Sequence, residues 1–193
     1  MPTPRIIVLT APSGAGKTTI ARRVLGIMSQ MRFSVSATTR DPRPNETDGV
    51  DYHFVTREAF EQFIEQDALI EFEQVYDGLY YGTLRSEVNA ATPEKPVLLD
   101  IDVKGAQNVK EHFGDDALVI FVKPPSLDAL AERLTGRGTE SNEALQERLN
   151  RARMEISLAD DFDVVVVNDV LEHAVDETLG HIRRFLAGSH HQV

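Results

Sequence analysis

The stretch IIVLTAPSGAGKTT, Ile6 to Thr19, decides how this chain reads. An apolar run, Ile6–Leu9, breaks into small residues and ends on Lys17 and Thr18, and helical periodicity begins at Ile20. Gly14 and Gly16 let backbone N–H groups turn inward around an anion, and the helix that follows adds its positive N-terminal end. Lys17 supplies a point charge for β- and γ-phosphates, and the Thr18 hydroxyl suits Mg²⁺. This is the pattern of a phosphate-binding loop, except that Ala11 stands where its first glycine belongs. An alanine there matters only if the residue needs positive φ or a contact too close for a methyl group. A tight strand-to-helix turn with an incidental lysine is the structural alternative. The strand before, the helix after and SGAGKTT in full favour the phosphate site, but they are silent on the reaction.

Working outward, Val97–Leu99, Leu118–Val122 and Val164–Val167 read as further buried strands. Helical patterns cover Ile20–Met28, Val103–His112, Leu127–Leu134 and Val170–Leu186. Continuous β-branched runs alternating with helices predict an α/β fold, a parallel sheet covered on both faces. Two segments break the alternation. The first, 36–92, contains DYHFV, LIEFEQV and LYYGT as short strands, with a helix at Glu58–Gln66. The second, 135–160, reads as a long polar helix opened by Ser141 as N-cap. Both are inserts on one core made of 1–35, 93–134 and 161–193, with only the tail AGSHHQV expected to be disordered.

The 193 residues suffice for one domain with a sizeable core, and 41% hydrophobic with 26% charged residues is a soluble globular composition. No apolar run approaches membrane-spanning length. The absence of cysteine excludes a disulfide framework or a thiol nucleophile, and the histidines lack metal-ligand spacing. A cytoplasmic enzyme is the simplest expectation. A net charge of −11 argues against a nucleic-acid binder. Arginines nevertheless outnumber lysines 15 to 5, and Arg133, Arg137, Arg148, Arg151 and Arg153 crowd one stretch. Arginine suits bidentate pairing with phosphate, although most of these cations read equally well as solvated helix faces.

A second constellation is more informative. SATTRDPRPNETDGVDYHFV brings Arg40, Arg43 and Tyr52 together after Ser36, donors suited to a phosphate monoester. Glu71 follows in LIEFEQV, then YYGT at Tyr80–Thr83. VLLDIDVKG then places Asp100 and Asp102 at the end of an apolar strand, where an aspartate near a phosphate loop usually serves Mg²⁺. A helix N-cap by Asp102 is the structural rival.

In this order, APSGAGKTT, FSVSATTRDPRPNETDGVDYHFV, LIEF, YYGT, LLDIDVKGA, GRGTES and VVVND make the chain resemble the guanylate kinases from Ile6 to about Leu186. The resemblance implies a three-layer P-loop core, a GMP-binding insert and a helical lid. It further implies ATP-dependent phosphorylation of GMP, and of dGMP, in purine nucleotide metabolism. It assigns GMP to Ser36, Arg40, Arg43, Tyr52, Glu71, Tyr81, Thr83 and Asp102. It assigns ATP to Ser13, Gly14, Ala15, Gly16, Lys17, Thr18 and Thr19, with Arg137 on the phosphates and Asn168 near the adenine. Lys17, Arg40, Arg137 and Arg148 are the implied catalytic set. Mg²⁺ falls to Thr18 and Asp100, the latter through water. ATP and GMP are the implied partners, with no nucleic acid or membrane, in a monomer or homodimer. Ala11, and a YDGLYYG segment one residue longer than the common form, depart from the family.

The chemistry agrees with the resemblance. Guanine offers N1–H and amino donors that a carboxylate such as Glu71 accepts, and an O6 that the Ser36 hydroxyl can reach. Adenine would leave that carboxylate unpaired, a loss worth discrimination of roughly 10⁴. The acceptor phosphate oxygen is already deprotonated, so alignment and charge neutralisation suffice without a general base. Another nucleoside monophosphate as acceptor, and a catalytically silent interaction module of the same fold, are the alternatives. The second would erode the phosphate loop and lid arginines.

Overall fold

The computed structural model describes residues 5–76, 78–135 and 142–188. Arg137, Ser141 and the end of the tail lie outside the described residues.

The buried run Ile6–Thr10 forms strand β1 at the centre of a five-stranded parallel sheet. Its neighbours are β7 (Val97–Asp100) and β8 (Ala117–Lys123), with β2 (Arg32–Phe33) and β9 (Val164–Val167) at the edges. Alternation along β1 divides the core. Ile7 and Leu9 pack with Ile20, Val24, Leu179 and Ile182 from helices α1 (Lys17–Ile27) and α7 (Leu171–Leu186). Ile6 and Val8 pack on the other side with Val103, Ala106 and Val109 of α4 (Val103–Phe113). Burial on both faces explains why these strands are continuous apolar runs rather than alternating ones.

A second, four-stranded sheet carries the strands of the 36–92 segment: β3 (Ala37–Thr38), β4 (His53–Phe54), β5 (Leu69–Tyr76) and β6 (Leu79–Leu84), in the order β4-β3-β6-β5. Helix α2 (Arg57–Glu65) starts where the Thr56 hydroxyl accepts from Ala59 N–H, and it buries Phe60 against this sheet. The expected helix at Glu58–Gln66 therefore begins one residue earlier. A short α3 (Arg85–Asn89) leads back to the core.

Helix α5 (Leu127–Thr135) leaves β8, and α6 (Asn142–Ser157) packs on it through Leu145, Leu149 and Ala152 against Leu127, Leu130 and Leu134. Only Ala152 of α6 is fully buried among its described side chains, and Ile156 adds a partly buried contact with the α4 side of the core.

Candidate active site

Parallel sheets present ligand sites at the carboxyl ends of their strands, and the conspicuous side chains gather there. The loop after β1 turns on two left-handed glycines, Gly14 at φ 91° and Gly16 at φ 97°. Gly14 has a second reason to lack a side chain. A Cβ there would lie 2.8 Å from Leu134 of α5. Ala11 does not share the left-handed conformation; it is 7% exposed and belongs to the α1/α7 side of the core. Its methyl group therefore occupies packed apolar space, with no conflict at the loop.

Lys17 and Thr18 open α1 and converge on the end of β7. Lys17 Nζ lies 2.8 Å from Asp100 Oδ1 and donates to Ile101 O at 2.6 Å; Thr18 Oγ1 donates to Asp100 Oδ2 at 2.9 Å. A hydroxyl beside a carboxylate is a hard-oxygen pair that fits Mg²⁺, which keeps several waters and substrate phosphates in its shell. Ser13, exposed at the loop's tip, accepts from Arg148 Nη2 of α6 at 2.9 Å. Thr19 is exposed on the first turn of α1.

Asn168 follows β9 and is 5% exposed. Its Nδ2 donates to Ala15 O at 2.7 Å, and a Cβ on Gly16 would lie 2.3 Å from that nitrogen. Arg133 Nη2 of α5 in turn donates to Asn168 O at 2.9 Å. The side chain expected near an adenine thus braces the phosphate loop from within.

The second sheet assembles the other half of the cleft. Arg40 donates to both oxygens of Glu46 at 2.9 Å and, through Nε, to Tyr81 Oη at 3.2 Å. Its guanidinium lies over the rings of Tyr52 and Phe54, at 5.5 and 5.7 Å. The Glu46 hydrogen bonds, with that of Tyr81, raise the Arg40 pKa despite burial, so its charge is permanent. Arg43 is exposed and enters this group through its backbone N–H, which donates to Glu46 Oε2 at 2.8 Å. The pleat separates the two tyrosines: Tyr81 meets Tyr52 edge-on at 5.9 Å, while Tyr80 stacks on buried Phe60 at 5.2 Å. Ser36, just before β3, is half-buried and accepts from His53 N–H through its carbonyl.

Glu71 and Thr83 face each other across β5 and β6, and the buried Thr83 hydroxyl donates to Glu71 Oε1. Gly105 of α4 leaves room for this carboxylate, since a Cβ there would lie 2.9 Å from Glu71 Oε2. Burial pushes Glu71 up to about 6, although the Thr83 hydrogen bond opposes the shift. Asp102 does act as the N-cap of α4, with Oδ1 accepting from Gly105 N–H at 2.7 Å. Its other oxygen faces Arg151 of α6 at 4.0 Å, so capping leaves it available to the cleft. Glu73 is pushed up to about 7, first by its hydrogen bond to Asp102 and then by burial.

A cavity of about 830 Å³ is lined by the phosphate loop, Glu73, Asp102, Arg148 and Arg151, and Glu73 also lines a second, of about 610 Å³, together with Glu71. Glu46, Glu73 and the bracing bond of Asn168 were not singled out from the sequence. For Glu46 a signal existed, in its spacing six residues after Arg40. For Glu73 it was the alternation of Glu71 and Glu73 along one strand.

The family model for guanylate kinase matches residues 3–186. A curated guanylate kinase of Salinibacter ruber is 63% identical over 187 residues, covering 97% of this chain and 100% of the relative. One of Chlorobium chlorochromatii is 51% identical, covering 96% of this chain and 97% of the relative. The solved structure of guanylate kinase from Anaplasma phagocytophilum superposes with a TM-score of 0.74 at 30% identity, covering 100% of this chain and 89% of that one. The phosphate loop, the arginine–tyrosine cluster and the buried Glu71–Thr83 pair therefore lie in a chain that belongs to the guanylate kinase family.

Proposed function

We propose that the protein transfers the γ-phosphoryl group of ATP to GMP, and less efficiently to dGMP, giving ADP and GDP. A phosphate oxygen of GMP attacks the γ-phosphorus in line while the bond to the β-phosphate oxygen breaks. One observation carries the reading: a phosphate loop and a buried carboxylate line two cavities that have Glu73 in common. The first is lined by the glycine-bearing loop with Lys17 and Thr18; the second by Glu71, whose strand pairs with the one that carries Thr83 and Tyr81, the latter bonded to Arg40.

On the donor side, backbone N–H groups of Ser13–Thr19 cradle the ATP phosphates, and Lys17 exchanges Asp100 for β- and γ-phosphate oxygens. Thr18, and Asp100 through water, would hold Mg²⁺, which when bound neutralises charge on the β- and γ-phosphates. Asn168 serves ATP by holding the loop. On the acceptor side, Arg40, Arg43, Tyr52 and Tyr81 take the GMP phosphate. Glu46 holds the Arg40 fork in its working orientation. Glu71, ionised at neutral pH, accepts from guanine N1–H and the amino group, with Ser36, Thr83 and Asp102 completing the base site. Segment 36–92 is the GMP-binding insert and 135–160 the lid. Arg148, with Arg137, neutralises the transferring group when the lid is closed. The reaction belongs in the cytoplasm, where a monomer or homodimer would carry it out.

Intact Lys17, Thr18 and Arg148, gathered on one cavity, argue against a silent interaction module. Coupled measurement of ADP formation with GMP, AMP, CMP and UMP as separate acceptors tests the proposal. GMP alone should be turned over efficiently, and equal turnover of AMP would overturn it.

A further inference from the structure

The register of the second sheet brings a residue into the cleft that the sequence motifs do not mark. Glu73 pairs with Tyr81 in the β5–β6 ladder, two residues along from the Glu71–Thr83 pair. The pleat turns Glu73 and Glu71 to the same face, so Glu73 stands beside the acceptor site without touching Thr83 or the arginine cluster in any bond the geometry shows. Across from it is helix α6. Arg151 Nη2 lies 3.5 Å from Glu73 Oε1 and 4.0 Å from Asp102 Oδ2, while its Nε donates to Glu155 at 2.9 Å and fixes the side chain's direction. Arg148 precedes Arg151 by three residues, so both side chains leave the same face of the helix. One goes to Ser13 of the phosphate loop and the other to the carboxylates of the acceptor half.

We propose that Arg151 and Glu73 form the acceptor-side latch of the lid, and that Arg151 is the positioning residue coupling the insert to the placement of Arg148. Glu71, Glu73 and Asp102 concentrate carboxylates at one edge of the cleft, and the guanidinium of α6 reduces their mutual repulsion only when the helix lies across them. With Arg151 on those carboxylates, Arg148 is held over the loop. With Arg151 released, α6 loses its contacts with these carboxylates while its apolar contacts with α5 and, through Ile156, with the α4 side of the core remain, as does the bond to Ser13. The Arg151 side chain is 54% exposed, which makes the pair weak enough to form and break in every turnover.

The inference rests on the proposed transfer to GMP, which the unaltered protein's activity tests separately. The experiment here is a double-mutant cycle of Glu73→Gln and Arg151→Gln, read as kcat and KM for both nucleotides, with the melting temperature of each variant. Each single change should lower kcat about three- to tenfold, leaving KM for ATP within twofold and the melting temperature within about two degrees. The double variant should then be no slower than the slower single one. The latch is overturned if both single variants keep kcat within twofold, if their losses multiply in the double variant, or if a raised KM for ATP accounts for the whole effect.

Discussion

Asn168 Nδ2 donates to Ala15 O at 2.7 Å, filling the space that Gly16 leaves by having no side chain. The bond ties the end of β9 to the middle of the phosphate loop, where the backbone must keep its N–H groups aimed at an anion. A buried carbonyl without its donor costs about 1–3 kcal/mol, and a carboxylate in place of the amide would add repulsion. Asn168→Asp should therefore raise KM for ATP about tenfold or more while KM for GMP stays within about twofold. Steady-state kinetics with each nucleotide varied in turn decides this; equal effects on both constants would mean general loss of folding rather than loop support.

Lys17 is paired with Asp100 and Ile101 O beside the phosphate loop, whereas Arg40 is paired with Glu46 and Tyr81. Lys17→Ala should lower turnover by on the order of 10³ and leave GMP affinity largely unchanged. Calorimetric titration with GMP alone checks the second half. A large loss of GMP affinity would show that the two nucleotides do not use separate ends of the cleft.

The conformation of Ala11 permits an alanine, and its methyl group is buried with the α1/α7 side of the core. Ala11→Gly should thus leave catalytic efficiency within about twofold, because Gly14 and Gly16 carry the turn. The cost appears in stability. Losing a buried methyl group removes about 0.8 kcal/mol, and the freer backbone adds about 0.5–1 kcal/mol. Thermal unfolding should drop by a few degrees, and a gain in efficiency beyond about tenfold would contradict the packing argument.

Burial of the Glu71 carboxyl raises its pKa from 4.5 to about 6. Between those values the folded protein keeps a proton that the unfolded chain releases, so stability falls as pH rises through this window. Above it the accumulated loss is about 2 kcal/mol. Glu71→Gln cannot ionise, so its melting temperature relative to the unaltered protein should rise between pH 4.5 and pH 7 in the absence of nucleotide. GMP acts in the opposite sense. Donors from guanine favour the ionised carboxylate, so binding near pH 5.5 should release a proton, visible as a buffer-dependent enthalpy. A melting difference that is flat with pH would place Glu71 in water.

The parts of this molecule legible in its sequence are those whose causes are local. Ile6–Thr10 is buried on both faces and reads as an unbroken apolar strand; the glycine turn and Lys17 follow within a few residues. Strand β2, only Arg32–Phe33, carries too few residues to show any period, and α3 is barely longer than a turn. The separation of Tyr80 from Tyr81 depends on which face of β6 looks toward Phe60, a matter of packing rather than pattern. Contacts between distant segments were the least visible. Asn168 reaches Ala15 across 153 positions and Arg151 reaches Glu73 across 78, so both depend on how sheet and helices are stacked. For Asn168 the motif marked the residue as important, and only the fold shows that its amide faces inward.

Helix α6 packs on α5 through a small leucine-and-alanine cluster and on the core through the partly buried Ile156, and two of its arginines reach Ser13 and Glu73. Exposed charged contacts of this kind contribute about 0–1 kcal/mol each, so they cannot keep a polar helix shut against solvent for long. Opening should be frequent in the free protein and suppressed when phosphates join the arginines from both sides. Amide hydrogen exchange across 142–157 should therefore slow modestly with either nucleotide alone and strongly with an ATP analogue plus GMP. Arg148→Ala should lower kcat at least about 10²-fold, while the affinity for each nucleotide alone changes only a few-fold, because the guanidinium matters most when charge moves between the two substrates. Exchange already fully suppressed in the free protein would identify α6 as a fixed part of the fold, and Arg148→Ala would then be expected to weaken ATP binding and kcat together.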